Sequence, residues 1–192
     1  MAMSNGFSLG NLPLGKLPMG KWPLGGFPLG GGAKRRLIGF LACLILGVAG
    51  GVFMTGKVVS VADGDTLTFL TSGGETQKIR LYGVDSPELH QAGGQDAAEF
   101  ARSLALFAKV QVTPIDTDQY GRSVSIVTLP DGRVLNEELV KNGQAWVYTA
   151  YCKTARCVYW KGLEAKARAD RVGLWRNKKA IPPWQWRRRH SR

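Results

Sequence analysis

From Gly56 to Val84 the chain reads as strands. Val58, Val59 and Val61 lead into an acidic turn, and Thr66 to Thr71 alternates polar with apolar positions. Ser72-Gly73-Gly74 signals a hairpin, and Thr76 to Val84 returns as the next strand. The period then changes. Phe100, Leu104 and Phe107 recur at helical spacing between Gln95 and Ala108, which predicts a helix with those side chains in the core. Two more strands, near Val110–Ile115 and Arg122–Leu129, flank a turn at Tyr120-Gly121-Arg122, and Pro130-Asp131-Gly132 makes another. Asn136 is placed to cap a short helix ending at Gly143. A last helix runs from about Val158 to Arg171 and stops near Gly173. Strands, helix, strands and helices in this order predict an α+β domain, mainly β: a five-stranded barrel of the OB type with about three helices packed beside it.

Ahead of this domain the pattern is different. Residues 6–30 are a five-residue repeat, from Gly6-Phe7-Ser8-Leu9-Gly10 to Gly26-Phe27-Pro28-Leu29-Gly30, and its Pro and Gly content excludes helix and sheet interiors. It reads as a low-complexity spacer or as a self-association tract. Lys34-Arg35-Arg36 then precedes Leu37–Met54, eighteen residues without a charge. That length is at the lower edge for a membrane-spanning helix, and the basic flank would keep its N-terminal side in the cytoplasm. Gly47 and Gly51 have the spacing of a helix-pairing motif. The expectation is a membrane anchor over residues 37–54 with the following domain periplasmic or extracellular. The rival is a signal cleaved near Val48-Ala49-Gly50, which would release a secreted protein. The resulting organisation is a repeat tract over 1–33, flank and anchor over 34–54, a folded domain over 55–177 and a basic tail over 178–192.

Charge sharpens this division. The 192-residue chain has a net charge of +12, yet Thr55 to Trp175 contains fourteen basic and fourteen acidic residues. The excess lies in the flank and in a tail that interleaves Trp184 and Trp186 with arginines. Such a mixture suits contact with nucleic acid, and equally a fold-back in which the two tryptophans clamp the domain. Cys152 and Cys157 can close a small disulfide loop where the compartment oxidises.

Three short blocks carry candidate chemistry: Asp63-Gly64-Asp65-Thr66, then Arg80-Leu81-Tyr82-Gly83-Val84-Asp85-Ser86-Pro87-Glu88, then Asp118-Gln119-Tyr120-Gly121-Arg122. Carboxylates hold hard divalent cations through oxygen, and arginine forks match phosphate oxygens two at a time. Each block alone is an ordinary turn or helix cap. Together, in this order and spacing, they resemble the staphylococcal nuclease (thermonuclease-like) family over roughly Gly56 to Trp175. The ending Ile181-Pro182-Pro183-Trp184-Gln185-Trp186-Arg187-Arg188 is similar to the endings of bacterial members.

The resemblance implies a calcium-dependent nuclease acting on DNA and RNA, with products carrying 3′-phosphates. It implies that Asp65, Asp85 and the backbone carbonyl at Ser86 surround the ion, that Glu88 is the general base, and that Arg80 and Arg122 grip the phosphate. Tyr120 and Tyr151 match positions near bound nucleotide, and Tyr148 is a third candidate lining residue. Ser86 stands where the best-known members have Thr, and Gln119 where Lys often sits. The rival reading is a membrane-tethered OB module that binds nucleic acid without cutting it.

Overall fold

The computed structural model describes residues 53–190. The repeat tract, the basic flank, the cleavage site and the Gly47/Gly51 pair lie outside the described residues, as does the apolar run apart from Phe53 and Met54. Among the described residues no helix is long and apolar enough to cross a membrane. Met54 itself opens the first strand, opposite Val112, so the apolar run ends inside the barrel wall.

Five strands close the barrel: β1 (Met54–Val61), β2 (Thr66–Thr71), β3 (Thr76–Leu81), then, after a two-residue strand β4 (Val84–Asp85) and helix α1 (Gly94–Ala105), β5 (Lys109–Thr117) and β6 (Ser123–Thr128). Their order around the barrel is β1-β2-β3-β6-β5, with β5 returning to β1. All neighbours are antiparallel except β3 and β6, which run parallel with Arg80 opposite Val124. Alternation puts Val58, Leu67, Phe69, Ile79, Val112 and Val127 inside, all essentially without solvent contact. The predicted strand Thr76–Val84 is interrupted, because Tyr82-Gly83 turns the chain, with Gly83 at positive φ. The break matters for function: it sends β4 off the barrel to pair with β7 (Trp146–Val147), Asp85 opposite Trp146.

Helix α2 (Leu135–Lys141), helix α3 (Ala155–Ala169), a 3-10 turn at Gly173–Arg176 and helix α4 (Pro183–His190) complete the chain. The C-terminal helix is one more than the pattern predicts. Asn136 is not a cap. It lies inside α2, fully buried, where its Oδ1 accepts from the Val127 amide and its Nδ2 donates to the carbonyls of Tyr82 and Ser125. It thus ties α2 to β6 and to the turn before β4. Phe107 is not in the core either. Helix α1 ends at Ala105, and Phe107 takes a φ of 63° with its ring 62% exposed beneath the Lys57 ammonium. From α3, Trp160 packs into the core, and Glu164, also buried, accepts from the Val147 amide, from Lys161 and from Arg168. Helix α3 therefore holds β7, and β7 holds the strand that carries Asp85.

Candidate active site

The acidic turn between β1 and β2 is built by its own side chains. Asp63 Oδ1 accepts from the Asp65 amide at 3.0 Å, which curls the chain and turns the Asp65 carboxyl inward. Gly64 is required by close approach: a Cβ there would stand 2.6 Å from the Ser86 side chain and 2.9 Å from Ala97 Cβ. The turn is thereby pressed onto the segment after β4. Asp65 Oδ2 accepts from the Ser86 amide at 2.5 Å, linking the first block to the second.

Arg80 rises from β3 between two buried acids. One guanidinium nitrogen lies 2.5 Å from Asp65 Oδ1 and the other 2.8 Å from Asp85 Oδ1. Burial pushes the Asp65 carboxyl up to about 7, with the Asp63 and Asp85 charges adding to the rise and Arg80 and the Ser86 amide opposing it. Three of the sequence-predicted residues, Asp65, Asp85 and Arg80, therefore form one hydrogen-bonded knot, with Ser86 on its rim.

Glu88 joins the knot through a residue that sequence reasoning did not single out. Arg187, on α4, donates from Nη1 to Glu88 Oε1 at 2.8 Å and to Asp85 Oδ1 at 3.2 Å, and from Nη2 to Asp85 Oδ2 at 2.9 Å. Both oxygens of Asp85, a side chain only 1% exposed, are thus held by guanidiniums. A second overlooked residue fixes the loop. Gln91, buried, accepts from the Glu88 amide with its Oε1 at 3.3 Å and donates from Nε2 to the Ile181 carbonyl at 2.5 Å. The sequence signals for Arg187 were the tail's mixture of tryptophan and arginine and the likeness of its ending to those of bacterial members, neither of which says which arginine meets the acids. For Gln91 there was no signal.

The remaining candidates stand apart. Arg122 precedes β6 by one residue, two positions before the partner of Arg80. Its Nε pairs with Asp118 Oδ2 at 2.7 Å rather than with the knot. The Asp118–Arg122 turn is closed by Gly121 at positive φ, and Tyr120 projects from it, 75% exposed, with the Arg122 guanidinium 5.5 Å from its ring centre. Tyr148 is half-buried, its ring 5.0 Å from that of exposed Tyr151 on one side and stacked on Trp184 on the other. Tyr148, Thr149, Ala150, Trp184, Arg187 and Arg188 line a cleft of about 580 Å³. The tail therefore folds back through Trp184, while Trp186 stacks on His190 within α4 itself. Cys152 and Cys157 are joined in a disulfide just after this tyrosine segment.

A hard cation suits the knot by its donors. Asp65 Oδ1 and Asp85 Oδ1 both pair with the Arg80 guanidinium, the buried Ser86 hydroxyl has no hydrogen-bond partner, and every candidate ligand atom is oxygen. Among the described residues Asp65, Asp85 and Glu88, with Asp63 beside them, pair with Arg80 and Arg187, so the charge balance also favours a divalent ion. Among the described residues no group of three or more His, Cys, Asp or Glu side chains is arranged to hold a metal. The ligand set would be two carboxylates completed by backbone and solvent oxygen.

The family described as staphylococcal nuclease homologue matches residues 78–177. A micrococcal nuclease of Shigella flexneri is 34% identical over 164 residues, covering 81% of this chain and 93% of that protein. An uncharacterized endonuclease of Escherichia coli O157:H7 is 37% identical over 134 residues, covering 70% and 85%. One of Haemophilus influenzae is 37% identical over 137 residues, covering 71% and 75%. Arg80, Asp85, Ser86, Glu88 and Arg122 fall inside the stretch the family matches, Asp65 just before it and Arg187 beyond it. The chain belongs to the staphylococcal nuclease homologues, and it is a nuclease.

Proposed function

We propose that the chain is a calcium-dependent nuclease that hydrolyses phosphodiester bonds of DNA and RNA with little sequence preference, leaving 3′-phosphate ends. The observation that carries this reading is the convergence of Asp65, Asp85, Glu88 and Arg80 in one hydrogen-bonded cluster at the end of the barrel strands. Asp65, Asp85 and the Ser86 carbonyl would hold the calcium ion. Bound there, the ion supplies Lewis acidity and a template for the reacting phosphate.

The chain's own groups do the rest. Glu88, on the exposed side of the cluster, takes the proton from the attacking water. Arg80, fixed by β3, and Arg122, at the mouth of β6, face charge that grows on the phosphate oxygens; fixed donors of this kind are often the largest catalytic contribution. Exposed Tyr120 and Tyr151 offer flat faces to nucleotide rings, and Tyr148, packed between Tyr151 and Trp184, supports that wall. Digestion of plasmid DNA and of RNA, with calcium and with chelator, tests the reading. Cleavage is expected only with calcium, and Glu88→Ala is expected to lower turnover at least 100-fold, the scale of one general base. Full-rate cleavage by Glu88→Ala would remove the assigned base.

We further propose that the part of the apolar run that precedes β1, from Leu37 on, anchors the chain or directs its export, so that the domain works outside the cytoplasm. The Cys152–Cys157 disulfide suits such a compartment. Separating membrane from soluble material decides between anchor and released protein.

A further inference from the structure

We propose that Arg187 is a phosphate-binding residue for nucleic acid, held on Asp85 and Glu88 until substrate arrives, so that it competes with the cation for Asp85 and yields to the phosphodiester. The proposal rests on the nuclease reading above and adds to it a group delivered by the C-terminal helix.

Three observations carry it. First, Arg187 occupies acids that the reaction needs free: it donates to both oxygens of Asp85 and to Oε1 of Glu88. While it does so, both oxygens of Asp85 accept from a guanidinium that a cation would have to displace, and Glu88 is engaged as an acceptor. Second, its anchorage and its side chain differ in mobility. The segment bearing it is fastened upstream, through the Gln91–Ile181 bond, buried Pro183 and the stacking of Trp184 on Tyr148. The Arg187 side chain itself is 43% exposed, unlike Arg80 at 15%. Its guanidinium can change partner without α4 leaving its seat. Third, Arg187 and Arg188 line the cleft walled by the stacked Tyr148 and Trp184. Two guanidiniums beside a flat aromatic wall match a nucleotide, which is a phosphate beside a flat ring. A phosphodiester entering there gives Arg187 a bidentate partner and leaves Asp85 and Glu88 to the cation and the water.

The test uses the full chain, purified in detergent, as wild type, Arg187→Gln and Arg187→Lys, with Lys141→Gln on α2 as a control for the loss of one charge. Calcium binding is measured by calorimetry without nucleic acid. Binding of a single-stranded oligonucleotide with phosphorothioate linkages is measured across a range of salt, and unfolding midpoints confirm folded protein. Arg187→Gln is expected to bind calcium about tenfold more tightly, because a competing positive charge is gone. It is expected to bind the oligonucleotide about tenfold more weakly, with a salt slope smaller by about one. Arg187→Lys keeps the charge and loses the fork, so the salt slope should stay while affinity falls. Lys141→Gln should leave calcium affinity unchanged. Unchanged calcium affinity in Arg187→Gln overturns the competition, and unchanged oligonucleotide affinity overturns the phosphate role. Failure of the nuclease reading shows differently, as a wild-type chain that cuts neither DNA nor RNA with calcium.

Discussion

Arg80 lies between two carboxylates that have almost no contact with water, and that position decides what its loss does. Replacement by Ala leaves Asp65 and Asp85 facing one another in a buried site. Breaking such a pair from one side costs about 3–5 kcal/mol, so Arg80→Ala is expected to unfold at lower urea when calcium is absent and to regain stability when calcium is added. Arg122→Ala should fold normally, since its partner Asp118 lies on a largely exposed turn. The Asp65 carboxyl, pushed up to about 7 chiefly by burial, adds a pH dependence. Below pH 7 it carries a proton that a cation must expel; above pH 7 it does not. Calcium affinity is therefore expected to rise with pH up to about 7 and then level off. Binding should release close to one proton at pH 6 and almost none at pH 8.5, as read by calorimetry in buffers of different ionisation enthalpy. No proton release at pH 6 would show that Asp65 is already ionised there. These acids were legible in the sequence because each stands in a short block whose spacing carries the family resemblance. The Arg80–Asp65 pairing was not, because burial depth is set by the barrel and not by any local pattern.

At the scale of elements, a loop and the segment leading into α4, far apart in sequence, hold the proposed general base. Glu88 sits on a non-helical segment between β4 and α1, and Gln91 binds the Glu88 amide with one end and the Ile181 carbonyl with the other. Gln91→Leu keeps most of the volume and loses both bonds. Loosened placement of a reacting group by about an ångström can cost up to 100-fold in rate. The expected result is a kcat lower by about 10- to 100-fold with KM within a few-fold, from steady-state cleavage of a defined oligonucleotide; an unchanged kcat would show that the loop is held by other means. The strands were readable from their two-residue period, helix α1 from its apolar spacing and the end of α3 from Gly173. Three features were not. The break at Tyr82-Gly83 that creates β4 is a positive-φ turn inside a run of strand formers. Asn136 resembles a cap and is instead a buried connector, which donates to the Tyr82 carbonyl and shares the Ser125 carbonyl with the Tyr82 amide. Phe107 fits the helical spacing but falls after the helix has ended.

Over the whole molecule, charge and fold are divided in an unexpected way. The barrel and its helices from Thr55 to Trp175 are electrically balanced, and the basic excess was assigned by sequence to the flank and tail. Part of that excess belongs to the site, because α4 brings Arg187 to Asp85 and Glu88. The same segment also packs: Trp184 and Ala180 lie against a second hydrophobic cluster of Trp146, Ala167, Leu174 and Trp175. Truncation after Lys179 tests the two contributions together, and comparison with Arg187→Gln separates them. Truncation uncovers Tyr148 and part of this cluster, removes a large half-buried aromatic and frees Gln91. Burying one large side chain stabilises by about 1.5–3 kcal/mol, so the truncated chain is expected to lose at least about 2 kcal/mol in urea unfolding. Arg187→Gln removes a partly exposed ion pair while Asp85 keeps Arg80. Exposed pairs contribute about 0–1 kcal/mol, so its stability should lie within about 1 kcal/mol of wild type. A truncated chain as stable as the full one would mean that α4 does not pack on the domain, and Arg187 could not then reach the acids from a fixed seat.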